Sequence, residues 1–145
     1  MMKARILILI LTLGLGGGFG VVAHAGDKSI GSETGVFLDS IKMPEDTENI
    51  YVKKLSTDKH SSQFLVFVRK LVPLHKHMHH SESVYVLSGE GEFTLDGKVT
   101  RISAGHFVYI PEGVAHGVKT TSKEPLKVLS VQAPEFFGKD RVPVK

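Results

Sequence analysis

Between residues 50 and 131 apolar side chains come in short runs, each closed by Gly, Pro, Asp or Ser. The runs are short and hold no helical period, so the pattern predicts strands. They fall at residues 50–55, 63–72, 83–88, 92–95, 98–102, 107–110, 114–120 and 126–131. Asp96-Gly97 is the pair expected in a two-residue type I′ hairpin turn. Gly89-Glu90-Gly91, Pro111-Glu112-Gly113 and the polar stretch 121–124 mark further turns. A series of short strands with no helix between them indicates an all-β barrel or sandwich. Phe64, Leu65, Val66, Phe67 and Val68 are apolar on both parities, so both faces of that strand must be covered. One face can line a barrel. The other calls for a second sheet or a second copy of the chain, which predicts a homodimer.

The first residues read differently. Lys3 and Arg5 precede an apolar stretch, 6–22, rich in Ile and Leu and then in Gly, which closes on Ala23-His24-Ala25. A basic head, an apolar middle and an A-x-A end form a secretory signal peptide, with cleavage after Ala25 and export to the periplasm. A membrane anchor is the alternative. The stretch is marginally short for spanning, and Gly14, Gly16, Gly17, Gly18 and Gly20 weaken a helix there. The expected organisation is a signal peptide at 1–25, an irregular arm at 26–49, a β-barrel at 50–133 and a tail at 134–145 that packs across the barrel.

Composition then narrows the partners. Removal of Lys3 and Arg5 takes the formal charge from +3 to +1 (3 − 2). No basic cluster with interleaved aromatics remains, which argues against nucleic acid, and nothing past the leader calls for a membrane. The chain has no cysteine, so no thiol can act as nucleophile or ligand and no disulfide can brace an exported domain.

Four of the eight histidines fall within six residues: His75, His77, His79 and His80. Residues two apart in a strand share a face, so His75 and His77 aim into one space. Glu82 follows after a break of four residues, and His116 opens a strand beyond Pro111-Glu112-Gly113. Three imidazoles and a carboxylate can surround one divalent ion (Fe, Mn, Ni, Zn or Cu) and leave positions open for a substrate.

At this point His75-x-His77-x4-Glu82-x6-Gly89 resembles the first motif of the cupin superfamily, and Gly105-x5-Pro111-x-Gly113-x2-His116 resembles the second. The resemblance implies a small double-sheet jelly-roll barrel with a metal in its mouth, bound by His75, His77, Glu82 and His116. Thr120 and His106 depart from the usual pattern, where Asn and an acidic residue are common. The resemblance also implies a small-molecule substrate and dioxygenase, isomerase, lyase or decarboxylase chemistry. Glu82 is then the candidate catalytic base. The other reading is a non-catalytic extracytoplasmic protein that binds a metal or a small ligand.

Several side chains near the motifs have ordinary readings. His79 and His80 are expected as exposed turn residues, with an outer copper site alongside Met78 as the alternative. Lys76 and His60 are expected to face solvent. Tyr85 has the opposite parity to Glu82 and should face away from the metal, as core. Tyr109 is either core or pocket wall. Phe64, Phe67, Phe93 and Phe107 are expected in the core or an interface.

Overall fold

The structure, a computed structural model, describes residues 35–144. The leader and its cleavage site lie outside the described residues. A 3-10 turn at Leu38–Ser40 precedes the strands. These are β1 (Ile50–Thr57), β2 (Ser62–Val68), β3 (Leu71–Lys76), β4 (Ser81–Ser88) and β5 (Glu90–Leu95). Then come β6 (Lys98–Ser103), β7 (Phe107–Ile110), β8 (His116–Thr120), β9 (Leu126–Ala133) and β10 (Val142–Pro143). They form two five-stranded sheets, β1-β2-β9-β4-β7 and β10-β3-β8-β5-β6. All pairings are antiparallel. The result is the all-β, double-sheet jelly-roll barrel that the strand pattern and the two motifs imply. No helix among the described residues is long and apolar enough to cross a membrane.

Strand alternation explains which side chains fill the barrel. In β4, Glu82, Val84 and Val86 are buried, while Ser83 and Tyr85 point the other way. In β9, Leu126, Val128, Ser130 and Gln132 face inward. Val68, Val84, Val86, Phe93, Ile102, Ile110, Leu126 and Val128 make one apolar cluster. Asp96 and Gly97 both have positive φ, +48° and +75°, as a type I′ turn requires.

The two-sided run of β2 finds its cover inside one chain. Phe64, Val66 and Val68 line the interior, yet Leu65 and Phe67 on the opposite face are also buried. Part of that cover comes from the arm. Lys127 Nζ donates to the Leu38 carbonyl at 2.8 Å and lies 5.3 Å from the Phe67 ring centre.

Three expectations need correction. The single strand expected at 63–72 is two strands in different sheets. The chain bends at Arg69-Lys70, where the Asn49 side-chain oxygen accepts from the backbone of Lys70 and Leu71. Tyr85 does face away from the histidines, but it is 43% exposed rather than core. Tyr109 is exposed too, at 53%, and is neither core nor pocket wall; Phe107, at 63%, is outside the core, which leaves its interface reading. Tyr85 and Phe107 pair across β4 and β7 on the sheet's outer surface. Alternation fixes that these residues share a face, but not that the face looks outward.

Gly89 is where the chain passes from one sheet to the other. Its φ is +82°, and a Cβ there would meet the Leu126 Cα at 2.8 Å. Gly105 has a similar φ of +90° but open space around it. Gly89→Ala is therefore expected to cost more than Gly105→Ala, by about 1–3 kcal/mol of urea-unfolding stability. Equal losses for the two variants would refute a packing role for Gly89.

Candidate metal centre

His75 on β3 and His116 on β8 are direct neighbours across the sheet. His77 lies one residue beyond the end of β3, and its carbonyl accepts from Gly113 N at 2.6 Å. Through that bond the Pro111-Glu112-Gly113 turn is tied to the histidine segment. Glu82 arrives from β4, in the opposite sheet. The site thus joins the two sheets at the barrel mouth.

The three rings converge. Ring centres are 4.2 Å apart for His75 and His116, 5.1 Å for His75 and His77, and 5.4 Å for His77 and His116. One nitrogen from each lies within 4.8 Å of the others, and all three residues are buried. Each ring is held in the same way. His75 Nδ1 donates to the Pro73 carbonyl at 2.9 Å, His77 Nδ1 to Asp140 at 2.6 Å and His116 Nδ1 to Val114 at 3.0 Å. A carbonyl can only accept, so these bonds fix the proton on Nδ1 and leave the Nε2 lone pair free to bind a metal.

Glu82 lies beside the cluster. Its Oε2 is 3.3 Å from His116 Nε2 and 3.5 Å from His77 Nε2, and Ser130 Oγ donates to Oε1 at 2.5 Å. The approach to His116 lacks hydrogen-bond alignment, and His116 Nε2 is a buried nitrogen with no partner. A buried nitrogen without a partner is costly, and a bound cation removes the cost. The three inward lone pairs fit a divalent ion of intermediate softness; the donor atoms that all lie within 4.8 Å of one another are those of His75, His77 and His116, and Glu82 is not among them.

The charges agree with this. Burial lowers the His75 pKa to about 4, so the ring is neutral near pH 7. Burial alone would raise the Glu82 pKa. The neighbouring His116 and His77 rings and the hydrogen bond from Ser130 outweigh it and hold the carboxyl well below its usual range. For His77, burial works downward, but its bonds to Glu82 and Asp140 raise it overall.

The tail completes the frame, through contacts that the sequence pattern did not locate. Val142 pairs with Lys76 and Pro143 with His75. Besides its carbonyl bond to His77, Asp140 accepts through its carboxylate from the backbone of Met78 at 3.0 Å and of His79 at 2.8 Å. Burial pushes the Asp140 pKa up, but these bonds and the one from His80 bring it down to about 2. Phe136 packs edge-on against His77 and His80.

His80 departs from expectation. It is buried, with Nδ1 2.6 Å from Asp140 Oδ2 and Nε2 2.9 Å from the Glu135 carbonyl. Both nitrogens face acceptors, so neither is free for an outer copper site. His79 is exposed, as expected. His106 Nδ1 stays within its own turn, near Ser103.

Behind the histidines lies a cavity of about 240 Å³ with largely apolar walls, among them Val66, Val84, Phe93 and Ile110. Its polar wall residues besides the four already named are Ser130, Gln132 and Arg141. The polar positions on the inward parity of 126–132 carried the available signal for Ser130 and Gln132. Nothing local pointed to Asp140 or Arg141.

Comparison with known proteins agrees with this architecture. The family described as "Cupin domain" matches residues 68–132. An uncharacterized protein from Aquifex aeolicus is 36% identical over 98 residues, covering 68% of this chain and 80% of that protein. A mannose-1-phosphate guanylyltransferase from Sinorhizobium fredii is 26% identical over 141 residues. That match covers 78% of this chain but only 27% of the enzyme. Among solved structures, a conserved double-stranded β-helix protein from Klebsiella pneumoniae superposes with a TM-score of 0.66 at 22% identity. It covers 78% of this chain and 98% of the other.

Asp140→Ala removes three bonds that hold the histidine segment while sparing every candidate ligand. It is expected to weaken Zn(II) binding by about 10–100-fold in a chelator-competition titration, with the circular dichroism spectrum retained. Unchanged affinity would show that the Asp140 carboxylate plays no part in holding the histidine segment.

Proposed function

Because residues 68–132 match the cupin-domain family, we propose that this chain is a cupin, an exported protein that binds one divalent ion and acts through it on a small organic molecule. The ligands in this reading are His75, His77, Glu82 and His116. The observation that carries it is the convergence of three buried imidazoles, each tied through Nδ1 to a backbone carbonyl.

What a bound ion supplies is Lewis acidity toward an enolate or carboxylate oxygen and, with iron, dioxygen chemistry. The chain's own groups do the rest. Neutral His75 offers a lone pair rather than a repelling charge. Ser130 holds Glu82 Oε1, leaving Oε2 turned toward His77 and His116. Glu82 is therefore the group placed to take a proton from a substrate carbon or hydroxyl. Arg141 adds positive charge at the mouth and has no carboxylate within ion-pair distance among the described residues. The reaction class in this reading is dioxygenase, isomerase, lyase or decarboxylase.

One observation favours the alternative, a non-catalytic binder: the cavity wall offers no acid–base side chain beyond the candidate ligands themselves. Oxygen uptake or product formation across a panel of small organic acids, abolished in His77→Ala, is the outcome expected of an enzyme. A metal-loaded protein inert to the whole panel supports the binder.

Export and self-association belong to the same proposal. Support for export is the sequence of residues 1–25 alone. For a homodimer the support shifts from β2 to the exposed outer strip of Tyr85, Phe107 and Tyr109. Native mass spectrometry of protein from the periplasm of expressing cells reads all three properties. The expected species is two chains, each starting at Gly26 and carrying one metal ion. A chain that keeps residues 1–25, a monomer at micromolar concentration, or metal-free chains that stay so after soaking would each remove the corresponding part.

A further inference from the structure

Gln132 is a feature of the cavity that metal binding leaves unexplained. It sits on β9 directly across from Glu82 on β4, and its side chain lines the cavity. The residue is only 8% exposed, yet its Oε1 has no hydrogen-bond partner. Ser130, two residues earlier on the same face, is committed to Glu82. Leu126 and Val128, further along that face, are apolar. Leaving a buried amide oxygen unpaired is costly, and a leucine or methionine would fill the same space without that cost. An unsatisfied polar group beside a cavity therefore points to a ligand that satisfies it.

The cavity's size and lining define the rest of that ligand. An apolar cavity of about 150 Å³ accepts benzene. The cavity here, about 240 Å³ and walled by Val66, Val68, Val84, Phe93, Ile110 and Val128, holds a ring with a short substituent. The polar groups gather at one end, with Glu82, the histidines and Arg141.

We infer that Gln132 is a specificity-determining residue. Its amide accepts a hydrogen bond from an O–H or N–H group of a compact, mainly apolar organic acid. The ligand's oxygen end faces the three histidines, and its body fills the barrel. This rests on the metal-centre reading for the placement of the acid end. A site built around a buried acceptor rejects analogues that lack the donor, because their binding leaves the acceptor unpaired.

The test uses the full domain loaded with Zn(II), its metal content measured first, and calorimetric titration with benzoate and with 2-, 3- and 4-hydroxybenzoate. At least one hydroxybenzoate should bind about five- to tenfold more tightly than benzoate. Gln132→Leu should erase that preference while benzoate binding persists, and Gln132→Met should behave alike. Both variants should melt at or above the wild-type temperature without ligand, since each removes an unpaired buried group. Equal affinity for all four probes, no binding of any probe, or a preference that survives in both variants overturns the inference while leaving the metal centre intact. So does a large fall in melting temperature in both variants, which would make Gln132 a structural residue. A chain that takes up no zinc overturns the metal reading and this inference together.

Discussion

The site depends on where three protons sit. His75, His77 and His116 each spend an Nδ1–H on a backbone carbonyl, and each carbonyl belongs to a different part of the chain: Pro73, Asp140 and Val114. A ring held this way has one tautomer and little rotational freedom, so the opposite nitrogen is aimed before any ion arrives. Two of the carbonyls come from two residues upstream of their own histidine, a local arrangement that the bent backbone supplies. The third comes from the tail. His77 is therefore the histidine whose position depends on distant structure.

The strand pattern explains why the rings meet at all. Direct pairing of β3 with β8 sets His75 opposite His116, and the break at Arg69-Lys70 lets β3 join that sheet while β2 stays in the other. Glu82 then reaches the same space from β4 across the barrel. An apolar interior is what makes the polar end informative. Val84 and Val86 follow Glu82 inward along β4, and Leu126 and Val128 precede Ser130 along β9. Each strand carries a gradient from dry to polar, and the gradients coincide at the mouth.

Much of this was legible in the sequence, for identifiable reasons. Period-two alternation and turn residues located the strands, and Asp96-Gly97 marked its hairpin because few residue pairs accept positive φ at both positions. The spacing of two separated motifs marked His75, His77, Glu82 and His116 as a group. What stayed hidden depends on contacts far apart in the chain. Alternation places Tyr85 and Leu65 on faces, but it cannot say that one face is exposed and the other covered by the chain itself. His80 reads as a loop residue until Asp140 and Glu135 are brought beside it. The length 63–72 reads as one strand because its bend is held by Asn49, a residue well upstream.

The tether at Asp140 also sets an order of assembly. Asp140 follows β1 to β9, and 63 residues separate it from the histidine it orients. As the polypeptide emerges during synthesis, β3, β4, β8 and β9 can pair while the His77 ring still lacks its carbonyl partner. The pairing of Ser62 with Gln132 closes as long a loop, so the order follows from the place of Asp140 after β9 in the chain. The centre therefore matures after the barrel around it. An ion that arrives early meets a scaffold with one imidazole not yet turned into place.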